Sequence, residues 1–137
     1  MSDQIKALYD RMTERVWNEG ELDAIDEYFA RDVVIHSAPP ELPAGSAGAR
    51  ETVSTFRSAL SGFKLGTPIV IAEGDKVAAY WTMSGTQDGD LMGIPATGKR
   101  IETSGMSLVR YEGGKIAEIW GASDQLGLLK QIGAIPS

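Results

Sequence analysis

Apolar residues recur every three or four positions in the first part of this chain and at alternate positions later, so helices come first and long strands follow. Ile5, Leu8, Met12 and Val16 predict an amphipathic helix over residues 3–19, with Tyr9 beside the stripe, Ser2 or Asp3 as cap and Gly20 as terminator. Leu22, Ile25 and Phe29 give a second, shorter helix over 22–29, and residues 33–37 (VVIHS) read as a short strand. A proline-rich loop (Pro39, Pro40, Pro43) leads to a helix over 47–60 with Ala49, Val53, Phe56 and Leu60 as its stripe.

From Phe63 the period changes. Strands over 65–73 and 76–86 flank Gly74-Asp75, and strands over 100–111 and 115–123 flank Glu112-Gly113-Gly114, so each pair predicts a hairpin. A glycine-rich loop over 87–99 joins them, and a last helix runs from about Asp124 to Gln131. Helices segregated from a mostly antiparallel sheet define an α+β fold. Gly85, Gly105 and Gly121 lie inside predicted strands, where bulges and bends are common.

The length of 137 residues gives one domain over 1–137, able to bury roughly two-thirds of its unfolded surface. A net charge of -6 argues against nucleic acid and anionic membranes as partners, since nothing would neutralise phosphates. The chain has no cysteine, which excludes disulfides and thiolate chemistry, and its one histidine, His36, cannot build a multi-histidine metal site. No metal is expected. No segment has the ~18 apolar residues of a membrane span, and the start does not read as a signal peptide, so the expected location is cytoplasmic.

The candidate chemistry gathers at the end of the last strand. Under a regular pleat Trp120, Ala122 and Asp124 share one face. A carboxylate there can exchange protons, because an apolar face favours the neutral acid. Asp124 also stands where the N-cap of the final helix belongs, and a helix N-terminus favours the anion. His36 can act as a polar group in a pocket or serve as a satisfied structural residue. Trp81 and Trp120 can wall a ring-shaped ligand or fill the core. Met83, Met92 and Met106 can supply an adaptable apolar lining. Tyr9 can hydrogen-bond a ligand oxygen, and the loop 87–99 can act as a lid or a dimer contact.

Three stretches carry a family resemblance: WNEGELDAIDEYFARDVVIHS, IAEGDKVAAYWTMSGTQDGDLMGIPATGKRIETSG and VRYEGGKIAEIWGASDQLGLLKQIG. Together they span nearly the whole chain, and DLMGIPATGKRIE is the most specific part. The chain resembles the SnoaL-like polyketide cyclases, also met under the label ester cyclase, within the nuclear-transport-factor-2-like (cystatin-like) superfamily. The resemblance implies a cone-shaped curved sheet wrapped around N-terminal helices, a deep apolar cavity, a homodimer and no cofactor. It implies Asp124 as the acid–base residue of an intramolecular aldol closure on a small hydrophobic, carbonyl-bearing ligand, with His36 lining the same cavity. Characterised cyclases also carry a polar, often histidine, residue on the strand matching Thr103 to Ser107, where this chain has Thr103, Ser104, Gly105, Met106 and Ser107. Isomerisation, dehydration and ligand binding without turnover are the alternatives on the same scaffold.

Overall fold

A computed structural model describes residues 2–91 and 93–133. The first helix, α1, runs over Ser2–Met12 and widens into a π-helical turn at Thr13–Asn18. A short 3-10 turn (Leu22–Ala24) leads into α2 (Ile25–Tyr28), then β1 (Phe29–Ile35) and α3 (Ser46–Ala59). The rest is β2 (Leu60–Glu73), β3 (Lys76–Gln87), β4 (Arg100–Glu112), β5 (Lys115–Ser123) and α4 (Gln125–Gln131).

The strands form one sheet in the order β1-β5-β4-β3-β2. β1 runs parallel to β5, and every other pair is antiparallel. The expected α+β architecture is therefore present: a curved, mostly antiparallel sheet with helices against one face. Both hairpins form as predicted. Gly113 and Gly114 have φ of 59° and 80°, the left-handed pair that a two-residue turn between Glu112 and Lys115 requires.

Three expectations are corrected. The second helix stops at Tyr28, and the chain is already extended at Phe29, so β1 begins before residue 33. The third helix ends at Ala59 and passes directly into strand at Leu60, without the intervening loop. The register shifts fall only partly at the strand glycines: Gly85 lies opposite the shift in β2 between Ser61 and Lys64, while Gly105 and Gly121 lie at none. The β3–β4 ladder runs without a register shift through Gly85 and Gly105. The shifts lie in β2 between Ser61 and Lys64 and between Gly66 and Ile69, at the β5 end of the second hairpin, and in β1 between Phe29 and Val34. Pro68 sits in one of them, as expected for a residue with no N–H to give to a ladder. The extra residues increase local twist and bend the sheet.

Odd-numbered residues of β3 and β4 face the helices. Val77, Ala79, Val109 and Tyr111 join Tyr9, Met12, Val16, Ile25, Tyr28 and Val53 in the main core. A second cluster closes the other end: Met83 and Ile101 pack with Ala59, Leu60, Leu91, Leu128 and Ile132. Among the described residues of the loop 87–99, Gln87 binds the returning arm. Gln87, fully buried, donates from Nε2 to the carbonyls of Ile94 (3.2 Å) and Pro95 (3.3 Å) and accepts at Oε1 from Thr97 Oγ1 (2.6 Å).

Candidate functional site

Cross-strand pairing decides which predicted site residues can meet. Trp81 pairs with Gly105, whereas Trp120 pairs with Leu108, which pairs with Ala78. Direct partners share a face and neighbours along a strand alternate, so Trp81 and Trp120 lie on opposite faces of the sheet. They do not form a common wall.

The inner face carries Trp81, Met83 and Ser107, and Tyr9 reaches Ser107 from α1. Trp81 Nε1 donates to Ser107 Oγ at 3.1 Å, and its indole lies across Gly105, where even a methyl group would overlap it. The absent side chain at Gly105 is thus what seats the ring. The Tyr9 phenol is buried, and burial pushes its pKa up to about 12, while hydrogen bonding to the Ser107 side chain pulls the other way. Tyr9 and Trp81 therefore converge on one hydroxyl, that of Ser107. Met83 is buried in the second core cluster.

Asp124 stands where β5 gives way to α4. Its Oδ1 accepts from Gly127 N at 2.9 Å, the N-cap geometry read from the sequence. Its amide donates to Ser104 O at 3.0 Å, and its own carbonyl accepts from Thr103 Oγ1 at 3.3 Å. The backbone is thus tied to β4 beyond the last rung of the β4–β5 ladder. Among the described residues Oδ2 accepts no hydrogen bond. The side chain is exposed, not enclosed in an apolar interior. It borders an open cleft of about 440 Å³ that Thr82, Met83, Ser84, Glu102, Thr103 and Ser104 also line.

His36 is engaged with other partners. Its amide donates to Ile119 O at 2.9 Å, which continues the β1–β5 pairing and sets the ring beside Trp120 on the outer face. The imidazole stacks on the Trp120 indole, with 4.9 Å between centroids and 13° between planes. His36 Nε2 is 2.7 Å from Glu118 Oε2, and Arg110 Nε donates to the other oxygen, Oε1, at 3.0 Å. His36 first, then Arg110, hold the Glu118 carboxyl below its ordinary range. The polar partner of His36 is therefore Glu118, not Asp124. Met106 is on this outer face too, 61% exposed, on the opposite side of the sheet from Met83. Met92 lies outside the described residues.

Sequence reasoning missed Glu118, Arg110 and Ser107. The first two were readable in principle: Arg110 and Glu118 have opposite charge and flank the Gly113-Gly114 turn on facing strands. Ser107 was named only as part of the stretch Thr103 to Ser107, because its contact with Trp81 depends on which strand lies beside β4.

Solved structures similar to this chain bear on nearly its whole length. TsrD from Streptomyces laurentii superposes with a TM-score of 0.91 at 28% identity, covering 98% of each chain. AclR, a candidate hydroxylase from Streptomyces galilaeus, gives 0.87 at 27%, covering 100% of this chain and 85% of that one. A candidate polyketide cyclase from Acidithiobacillus ferrooxidans gives 0.80 at 30%, covering 96% of each. Comparison with curated proteins gives no match. The profile described as SnoaL-like polyketide cyclase matches residues 7–132, from the first helix through the cap at Asp124 to the end of α4, and the chain belongs to that family.

Proposed function

We propose that this protein is a cyclase-type enzyme that binds a small hydrophobic, carbonyl-bearing molecule in the cleft beside Asp124 and moves a proton with that residue. Family membership supports the cyclase class. The observation that carries the site is the division of labour within one carboxylate. Oδ1 is held by Gly127 N, which fixes the group, Oδ2 accepts no hydrogen bond among the described residues, and the residue borders the cleft. An apolar ligand seated there would strip water from the carboxylate and strengthen its hold on a proton.

The proton bookkeeping for an aldol closure is simple. Oδ2 takes a proton from the carbon next to a carbonyl, the enolate carbon bonds to a second carbonyl carbon of the same molecule, and the new alkoxide takes the proton back. Isomerisation or dehydration would use the same first transfer. His36 has no part in this step, because its ring is engaged with Glu118 and Trp120. The reading needs no metal or organic cofactor, and it takes the working unit to be a homodimer.

Asp124→Asn tests the chemistry. Asn caps a helix about as well as Asp, so the fold should survive. Enzyme-dependent exchange of carbon-bound hydrogen for deuterium, followed by NMR over a panel of dicarbonyl compounds, should be lost. Full exchange in the variant would reduce Asp124 to a cap.

A second reading, a ligand carrier without turnover, is favoured by the packing of Trp81 against Gly105, which occupies inner-face space that a deep cavity would need. Saturable ligand binding with no exchange in the native protein would select it.

A further inference from the structure

β4 outruns its neighbour β5. The last rung of their ladder joins Gly105 to Ser123, whereas on its other side β4 stays paired with β3 as far as Arg100 and Thr86. Among the described residues, 100–104 therefore have a strand on one edge only, and α4 covers part of the other. The Gln131 carboxamide meets the Glu102 backbone there at two points. Glu102 N donates to Gln131 Oε1 at 2.8 Å, and Gln131 Nε2 donates to Glu102 O at 2.7 Å. A residue of an antiparallel neighbour would exchange the same pair of bonds. A carboxamide can stand in for it because it carries a donor and an acceptor side by side.

We propose that Gln131 is a positioning residue for Asp124. The inference rests on the proton-transfer reading of Asp124 given above. Gln131 is not among the residues that line the cleft, so it acts through α4 and not on the ligand.

The helix is tied to β4 at both ends. At its start the Asp124 amide donates to Ser104 O, and Thr103 Oγ1 donates to Asp124 O. At its end Gln131 holds Glu102. Leu128 and Ile132 also pack in the second core cluster. Apolar packing is non-directional: it sets how close α4 lies to the sheet and lets it slide. The paired bonds set its direction.

Magnitudes show why the far end matters. The seven residues of α4 span about 10 Å, so a sideways shift of about 2.5 Å at Gln131 tilts the helix by about 14°. The Asp124 carboxylate turns with it, because Oδ1 is bonded to Gly127 N in the first turn. A catalytic group works within roughly 10–20° of its productive orientation. The anchors are also part of the cleft: Glu102, Thr103 and Ser104 line its β4 side, and their partners Ser84, Met83 and Thr82 line the β3 side. Asp124 and the cleft beside it are thus held as one body.

Two substitutions test this in the whole chain, with amide hydrogen exchange at Gly127 as the first readout. Gln131→Met keeps the side-chain length and removes both bonds. Gln131→Glu keeps the shape; ionised, it sets a second oxygen against Glu102 O, but protonated it again offers a donor and an acceptor. At pH 7 both variants should keep the wild-type circular dichroism and lose about tenfold in protection at Gly127. As the pH falls through the carboxyl range, near about 4.3, Gln131→Glu should return to the protection of wild type at the same pH, and Gln131→Met should not. On a dicarbonyl compound whose carbon-bound hydrogen the wild type exchanges, kcat at pH 7 should fall about tenfold in both variants with KM unchanged.

Unaltered protection at Gly127 in both variants would overturn the positioning role and leave the chemistry of Asp124 standing, as would lost protection with an unchanged kcat. Gln131→Glu that fails to recover in acid would overturn it too, because packing and not the paired bonds would then hold the helix. A wild type inert on every dicarbonyl compound would overturn both readings.

Discussion

Asp124 and Gly127 are joined by a single hydrogen bond, 2.9 Å from the Gly127 amide to Asp124 Oδ1, and that bond starts the last helix. It also sets the orientation of the carboxylate beside the cleft, so one residue has a structural and a proposed chemical task. The two separate by substitution. Asp124→Ala removes both and should cost about 1 kcal/mol of stability, the usual worth of an N-cap. Asp124→Asn should cost a few tenths at most while removing proton transfer. Urea denaturation beside the exchange assay reads the two effects independently.

Glu118 gives the protein an acid-sensitive contact. Folding holds its carboxyl below the ordinary value of 4.5, through His36 first and Arg110 second. The unfolded chain then binds more protons in that range, so stability rises with pH through it. The contribution is complete above pH 4.5 and is lost as the pH falls through the depressed folded value. In melting curves taken between pH 7 and pH 3, the difference between wild type and Glu118→Gln should shrink steadily below 4.5. A constant difference would show that the carboxylate is not held by those partners.

Gly105 is required by its neighbour. A methyl group there meets the Trp81 indole and the Ala122 carbonyl. Gly105→Ala should destabilise by about 1–3 kcal/mol, the range for overpacking. Paired with Trp81→Phe, whose smaller ring relieves part of the overlap, it should cost less than the two single changes added together. Additive costs in a double-mutant cycle would mean that the carbonyl alone sets the penalty.

Gln87 should matter more than its place next to a loop suggests. Its amide makes three hydrogen bonds across the loop 87–99 while fully buried. Gln87→Leu would strand the Ile94 and Pro95 carbonyls and the Thr97 hydroxyl and should cost about 2–4 kcal/mol, from lost bonds to desolvated groups. Proteolysis should then cut within the loop. Resistance equal to wild type would return the loop to the status of a free lid.

Most of the element order was legible because it rests on local rules. Gly74 and Gly113-Gly114 mark their turns, and the stripe of Ala49, Val53 and Phe56 marks its helix. Asp124 announced itself as a cap. The faces were harder. Period-2 alternation says that Trp120 and Ala122 share a side, but not that this side is the outer one; that follows from Leu108 and Ala78 lying beside them. His36 was placed with Asp124 because family resemblance supplied the pairing, yet its position depends on β1 running parallel to β5, a contact between distant parts of the chain. Bends away from the strand glycines have a related reason. A strand glycine permits a bulge, but Gly105 is used to admit an indole, and β2 takes the extra residues because an edge strand can shift register against a single neighbour.

The placement of β1 has a consequence for how this protein is made. Its sheet neighbour is β5, and His36 and Glu118 are separated by 82 positions. On the ribosome the segment Phe29–Ile35 emerges long before anything it can pair with, at a few seconds per several dozen residues. Val33 must wait, in a nascent chain whose early helices lack the wall they lean on, until the final hairpin has been synthesised. Closure of the sheet is therefore a late, long-range event, and the interval before it is when chaperones have most to hold.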